Sequence, residues 1–213
     1  MDVLDKLKSD WKKDGNRYPK ISENEIYAML HKRSSSIVKW ILLISIVEFA
    51  IFFSLSFLLS DHPEVKKMEL YMPDYMNIGL MVIDNAINLV FMYLFYVNYK
   101  KITNTDTIKN LMANILRTRK IVSRYIVIKL AVLFAISLIT LLFLFNNDPQ
   151  WLELLHTAEE NGKGTTAMAL YFGIGIVFIS ILVCCFWLFY RLIYGLLLKR
   201  LNRNYQELKK IEL

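Results

Sequence analysis

Glu48, Asp84, Asn85, Asn88 and Lys129 are polar residues that sit inside otherwise apolar stretches of this chain. An ionisable group in hydrocarbon costs about 2.5–3.5 kcal/mol even on a lenient insertion scale. Such residues therefore mark a proton or ion site, a ligand or lipid site, or polar contacts between helices worth about 0.6–2 kcal/mol each. Asp84 and Asn88 lie one turn apart on one helix face, with Asn85 one position round. They suit a bound proton or cation, or a hydrogen-bonded helix contact. Counted from the ends of the apolar runs at 1.5 Å per residue, Glu48 lies about 12 Å and Lys129 about 6 Å below one membrane face, and Asp84 about 9 Å below the other. Glu48 and Lys129 belong to helices running in the same direction, and the reading predicts an ion pair between them across the bundle. Polar contact between helices is the simplest account of all five.

Other chemistry is sparse. The three histidines are His31, near the N-terminus, and His62 and His156, in the two segments predicted outside. A facial triad of two histidines and a carboxylate needs His62, His156 and an acid such as Glu64 or Glu153 on that outer surface. Cys184 and Cys185 are adjacent, and successive helical residues point about 100° apart, so packing as small apolar groups is expected rather than a mutual disulfide. No metal or cofactor is predicted, and no enzyme.

The elements that position these groups are four apolar runs, 40–60, 78–99, 125–145 and 167–190, each with the roughly 20 residues that cross a hydrocarbon core. With 55 % hydrophobic residues, the fold class is all-α: an antiparallel bundle of four transmembrane helices over residues 38–198. Of the 26 Lys and Arg residues, all but Lys66, Lys67 and Lys163 fall on one side of this threading. The positive-inside rule then predicts a multi-pass protein of the bacterial inner membrane with both termini in the cytosol. The net charge of +7 flanks membrane helices, where anionic headgroups attract it, so nucleic acid is not an expected partner. The polar start argues against a cleaved leader.

Cytosolic amphipathic pieces complete the chain. Residues 1–37 predict two helices. The first carries an apolar stripe of Leu4, Leu7 and Trp11, and the second is capped by Ser22 with Glu25 completing a capping box. Ser34–Ser35–Ser36 is neutral, either breaking the second helix or carrying it into the membrane. Segment 106–124 and the tail 199–213 show helical spacing, with Leu201, Tyr205 and Leu208 of the tail continuing a stripe from Leu197. These stripes suit either the inner leaflet or packing as an extension of the bundle or on a partner. Trp40, Tyr99, Tyr125, Tyr190 and Tyr194 are placed as an inner aromatic belt, and Tyr75, Trp151 and Tyr171 as an outer one. Ala169 and Gly173 form a small-xxx-small pair, a weak helix-contact signal.

The runs LDKLKSDWKK (4–13) and ISENEIYAMLHKRSSSIVKW (21–40) resemble a family of small four-helix membrane proteins of Bacteroidota, specifically over about residues 4–40 and in architecture beyond. Some of its members carry a name suggesting a beta-carotene monooxygenase. Four iron-binding histidines, as in soluble carotenoid cleavage, cannot be drawn from three.

The leading functional expectation is a non-enzymatic membrane scaffold or regulatory protein. It would contact membrane lipids, a cytosolic or membrane protein through its N-terminal helices, and possible copies of itself. The alternative is a small ion- or proton-coupled transporter or channel-like oligomer using Glu48, Asp84 and Asn88. A lipid-modifying enzyme stands third, since no His, Asp or Arg cluster marks one interface.

Overall fold

A computed structural model describes residues 22–105 and 107–212. The helices, in chain order, are α1 (Glu23–Leu59), α2 (Pro63–Tyr71), α3 (Asp74–Thr103), α4 (Ile108–Asn147), α5 (Pro149–Glu160) and α6 (Gly164–Glu212). Among the described residues there is no strand. Helices α1, α3, α4 and α6 are each long and apolar enough to cross a membrane. The protein is a multi-span helical membrane bundle. Its neighbours run α1–α3, α3–α4, α4–α6 and α6–α1, all antiparallel, leaving α1 and α4 on a diagonal with little contact.

Local chemistry explains where the elements begin. The Ser22 capping box forms in full, with Glu25 N–H donating to Ser22 Oγ (3.3 Å) and Ser22 N–H donating to Glu25 Oε2 (2.9 Å). The serine run does not break α1. Ser34 Oγ accepts from Asn204 Nδ2 (3.1 Å), and Ser35 Oγ bonds Thr103 Oγ1 (3.0 Å), so both hydroxyls serve neighbouring helices. The turn at 104–107 is held from α1: Tyr27 O–H donates to the Thr105 carbonyl (3.1 Å), and His31 Nε2 bonds the Ile102 carbonyl (2.7 Å). Two short helices, α2 and α5, fill the two segments predicted as outer loops. Each has proline at its first position, where the missing N–H costs nothing, and Asp148 caps α5 by accepting from Gln150 N–H (3.0 Å).

The bundle has two differently packed halves. Toward the termini, a basic end, buried positions recur at alternating spacings of three and four. They are Leu30, Ser34, Ile37 and Ile41 in α1; Phe91, Phe95, Asn98 and Ile102 in α3; Leu111, Ile115, Thr118, Val122 and Tyr125 in α4; and Tyr190, Tyr194, Leu201, Asn204 and Leu208 in α6. The one wider step, seven residues from Tyr194 to Leu201, keeps the same phase, and the pattern is the heptad seam of knobs-into-holes packing. In the apolar spans no more than 17 % of residues are buried, and large side chains such as Phe57, Leu58 and Ile174 point outward. Hydrocarbon solvates such faces, so they need no protein cover.

The small-residue signal is corrected here. A Cβ on Gly173 would meet nothing within 4 Å, so the Ala169/Gly173 pair makes no helix contact. Gly175 does: a Cβ there would lie 2.6 Å from Leu141 Cδ1 on α4. Cys184 and Cys185 are both exposed on the span rather than packed inside. A leucine at Gly175 should overpack the α4–α6 contact by about 1–3 kcal/mol and lower the melting temperature in detergent, while Gly173→Leu should leave it unchanged. Equal melting of the two variants would show that the close approach at Gly175 contributes nothing.

Candidate functional site

The antiparallel registers bring the intramembrane polar residues to one level. Asp84 and Lys129 each lie about 30 Å from the 104–107 turn at 1.5 Å per residue. The interval from Ser34 to Glu48 equals that from Tyr190 to Asn204, and both ends of these intervals are joined by hydrogen bonds. The unequal depths counted for Asp84 and Lys129 from opposite faces are therefore corrected to one level. The helices continue past the apolar runs by different lengths, and the hairpin turn, not hydropathy, sets their registers.

At the centre of this layer Glu48 is 6 % exposed. Its Oε1 accepts from Tyr190 O–H (2.6 Å) and Tyr125 O–H (2.9 Å), and its Oε2 accepts from Tyr194 O–H (3.0 Å). These donors come from α4 and α6, so one α1 carboxylate ties three helices. The three phenol rings also pack on one another, with Tyr125 edge-on to Tyr190 and Tyr194 at 6.0 and 5.9 Å. Phe91 and Phe95 of α3 close the fourth side against Tyr125, at 5.2 and 5.5 Å between centroids.

Beside this cage Lys129 Nζ donates to Asp84 Oδ1 at 2.6 Å, and Asn88 Nδ2 donates to Asp84 Oδ2 at 3.1 Å. The expected Glu48–Lys129 pair is thus overturned. Their helices are diagonal, whereas Asp84 stands on α3, directly next to Lys129 on α4. Asn85 donates to its own helix at the Met81 carbonyl (2.8 Å) rather than to Asp84. Tyr125, Tyr190 and Tyr194 are corrected as well: at 2, 2 and 0 % exposure they are core residues, not an aromatic belt. Trp40 and Tyr75 do lie exposed on the bundle surface, as a belt requires. The missed signal was the i,i+4 spacing of Tyr190 and Tyr194 in phase with Leu201 and Leu208.

Two cavities adjoin the ion pair. One of about 190 Å³ is lined by Phe52, Asp84, Lys129 and Tyr190 among others, and one of about 310 Å³ by Asp84, Asn85 and Asn88 with Phe49 and Phe53. Asp84 is common to both. No group of three or more His, Cys, Asp or Glu able to hold a metal occurs among the described residues. His31 bonds the turn region at the basic end, and His62 and His156 lie at the opposite end of the bundle. Leu4, Leu7 and Trp11 fall outside the described residues.

A family model described as Domain of unknown function (DUF8845) matches residues 24–213, and the chain belongs to that family. Comparisons with curated proteins and with solved structures find no match.

Removing the carboxylate should be costly in proportion to the donors it strands. Glu48→Gln keeps one acceptor oxygen and should lose about 1.5–3 kcal/mol, while Glu48→Leu leaves three buried hydroxyls without a partner and should lose more. Thermal unfolding in detergent reads both, and a Glu48→Leu variant as stable as wild type would refute the cage. For the ion pair, Lys129→Met alone should destabilise more than Lys129→Met combined with Asp84→Asn, because the single change leaves a charge unpaired. Strict additivity of the two single changes would mean the pair carries no coupling.

Proposed function

We propose that this protein is a non-enzymatic membrane scaffold or regulatory subunit of a bacterial inner membrane, threaded with its basic end in the cytosol. The observation that carries this reading is the heptad-packed stem, in which all four long helices continue past their apolar spans. Such a stem is a stiff, polar-faced support rather than a loop region. The orientation draws on the charge asymmetry, since Lys and Arg concentrate beside the stem.

Partner contact is assigned to the N-terminal sequence stripe Leu4, Leu7 and Trp11. Covering three such side chains favours association by roughly 1.5–3 kcal/mol each. The double change Leu7→Asp, Trp11→Ala should strip co-purifying proteins from the full chain in mild detergent and speed proteolysis around residues 14–17. Insertion should be unaltered. An identical partner set and an identical digestion pattern would refute this assignment.

A second reading, a small proton- or cation-coupled transporter, is favoured by Asp84 lining two cavities within the span. In proteoliposomes the scaffold reading expects no pH-gradient or cation flux above empty vesicles. A flux present in the wild type and abolished by Asp84→Asn would replace it with the transporter.

A further inference from the structure

A further cavity, larger than either of those at the polar layer, lies elsewhere on the described residues. It is an open groove of about 720 Å³ between α4 and α6, on the outside of the bundle where the apolar span gives way to the stem. Four cations line it: Arg119, Lys120 and Arg124 from α4, and Lys199 from α6. No acidic side chain is among its lining residues. At the span end its wall turns apolar with Val127 (66 % exposed) and Ile128 (37 % exposed).

We infer that this groove is a binding site for an anionic phospholipid, with its phosphate among the four cations and the start of an acyl chain along Val127 and Ile128. The cations and the Val127–Ile128 wall follow one another along the helix axis as the two parts of a lipid do along the membrane normal, with Leu116 and Leu198 as the remaining apolar lining. Residues 119–124 precede the apolar run that begins at Tyr125, so the cations stand at headgroup level and the apolar wall at acyl level. Basic pockets between helices at this level suit anionic headgroups. Arg119 is already positioned, because its Nη1 donates to Asn202 Oδ1 across the groove (2.7 Å). This fixes the guanidinium between the helices and leaves its remaining N–H groups for a phosphate. A zwitterionic headgroup brings its own cation into the same cluster and is disfavoured. A lipid seated here would also touch α4 and α6 together, covering the Arg119–Asn202 contact that joins them.

The test uses the full chain in nanodiscs of mixed phosphatidylglycerol and phosphatidylcholine, with retained lipid read by native mass spectrometry. Phosphatidylglycerol should be retained selectively. Lys120→Gln with Arg124→Gln, both exposed side chains, should cut that retention about tenfold or more. The charge-matched pair Lys32→Gln with Arg33→Gln on α1, outside the groove, should leave it unchanged. Equal losses in the two double variants would show diffuse attraction to the basic end and overturn the site, as would equal retention of the two lipids. Displacement by millimolar inorganic phosphate as effective as by added phosphatidylglycerol would assign the groove to free phosphate instead. An acidic protein segment as occupant would appear as lipid retention indifferent to all these changes. Should the first variant fail to fold, Lys199→Gln on the opposite wall carries the same expectation.

Discussion

A carboxylate held in an apolar span must find donors within the protein, because hydrocarbon supplies none. Glu48 finds three, and all of them are phenol groups on other helices. That requirement fixes the axial position of α1 against α4 and α6 to within a fraction of a helical turn. Sliding α1 by one turn, about 5.4 Å, would carry the Glu48 side chain past the tyrosines and leave one carboxyl group and three hydroxyls without partners. Apolar contacts in the same layer impose no such penalty, since one lipid-facing leucine replaces another at little cost. The polar layer therefore sets register for the whole bundle, and the turn at 104–107 and the Ser34–Asn204 bond are consistent with that one register.

The two halves of the bundle are stabilised by different physics. At the basic end water surrounds the helices, so closing a seam of Leu30, Ile37, Ile102, Leu111, Ile115, Leu201 and Leu208 gains the hydrophobic effect. Within the span lipid tails are as apolar as the side chains, and that driving force vanishes. There the helices are held by close approach at Gly175, by the Trp151, Tyr171 and Phe145 ring cluster, and by polar bonds. The Glu48 cage stands at the boundary between these regimes, with Tyr194 and Val122 continuing into the seam on one side and Phe52 and Phe186 leading into the span on the other. Buried Asn204 repeats the device by donating to Ser34 across helices, whereas buried Asn98 donates to the Leu94 carbonyl of its own helix; both break the uniformity of an otherwise interchangeable apolar seam.

What the sequence made legible was local. Apolar runs long enough to span, the Ser22–Glu25 box and the helical spacing of segment 108–116 depend on neighbours a few positions away, and the structure has them as read. Partner choice was not legible, because it depends on register, and register depends on where a turn closes. Depth counted from hydropathy placed Lys129 and Asp84 near opposite faces, yet they touch. Hydropathy marks where lipid contact ends, not where a helix ends, and here the amphipathic continuations are long and unequal. The tyrosines were misplaced for a related reason. A tyrosine near a run boundary fits an interfacial belt and a buried seam equally well until its phase against Leu201 and Leu208 is compared. The short helices α2 and α5 left their mark in Pro63 and in Asp148–Pro149, which the loop reading passed over.

The two intramembrane acids differ in a way that separates structure from possible exchange. Glu48 has both oxygens occupied by donors whose rings are wedged against one another and against Phe91 and Phe95. Releasing its bonds requires moving three helices, so it acts as a fixed tie. Asp84 accepts from a lysine and from an asparagine on its own helix, its side chain is 37 % exposed, and it borders both cavities of the layer. Lys129 has a flexible stem that can leave Asp84 without disturbing the backbone. Any proton or cation that enters this layer would therefore meet Asp84, not the more conspicuous Glu48. The cage and the ion pair share Tyr190 as a common wall, so exchange at Asp84 would be felt at the helix tie through that ring.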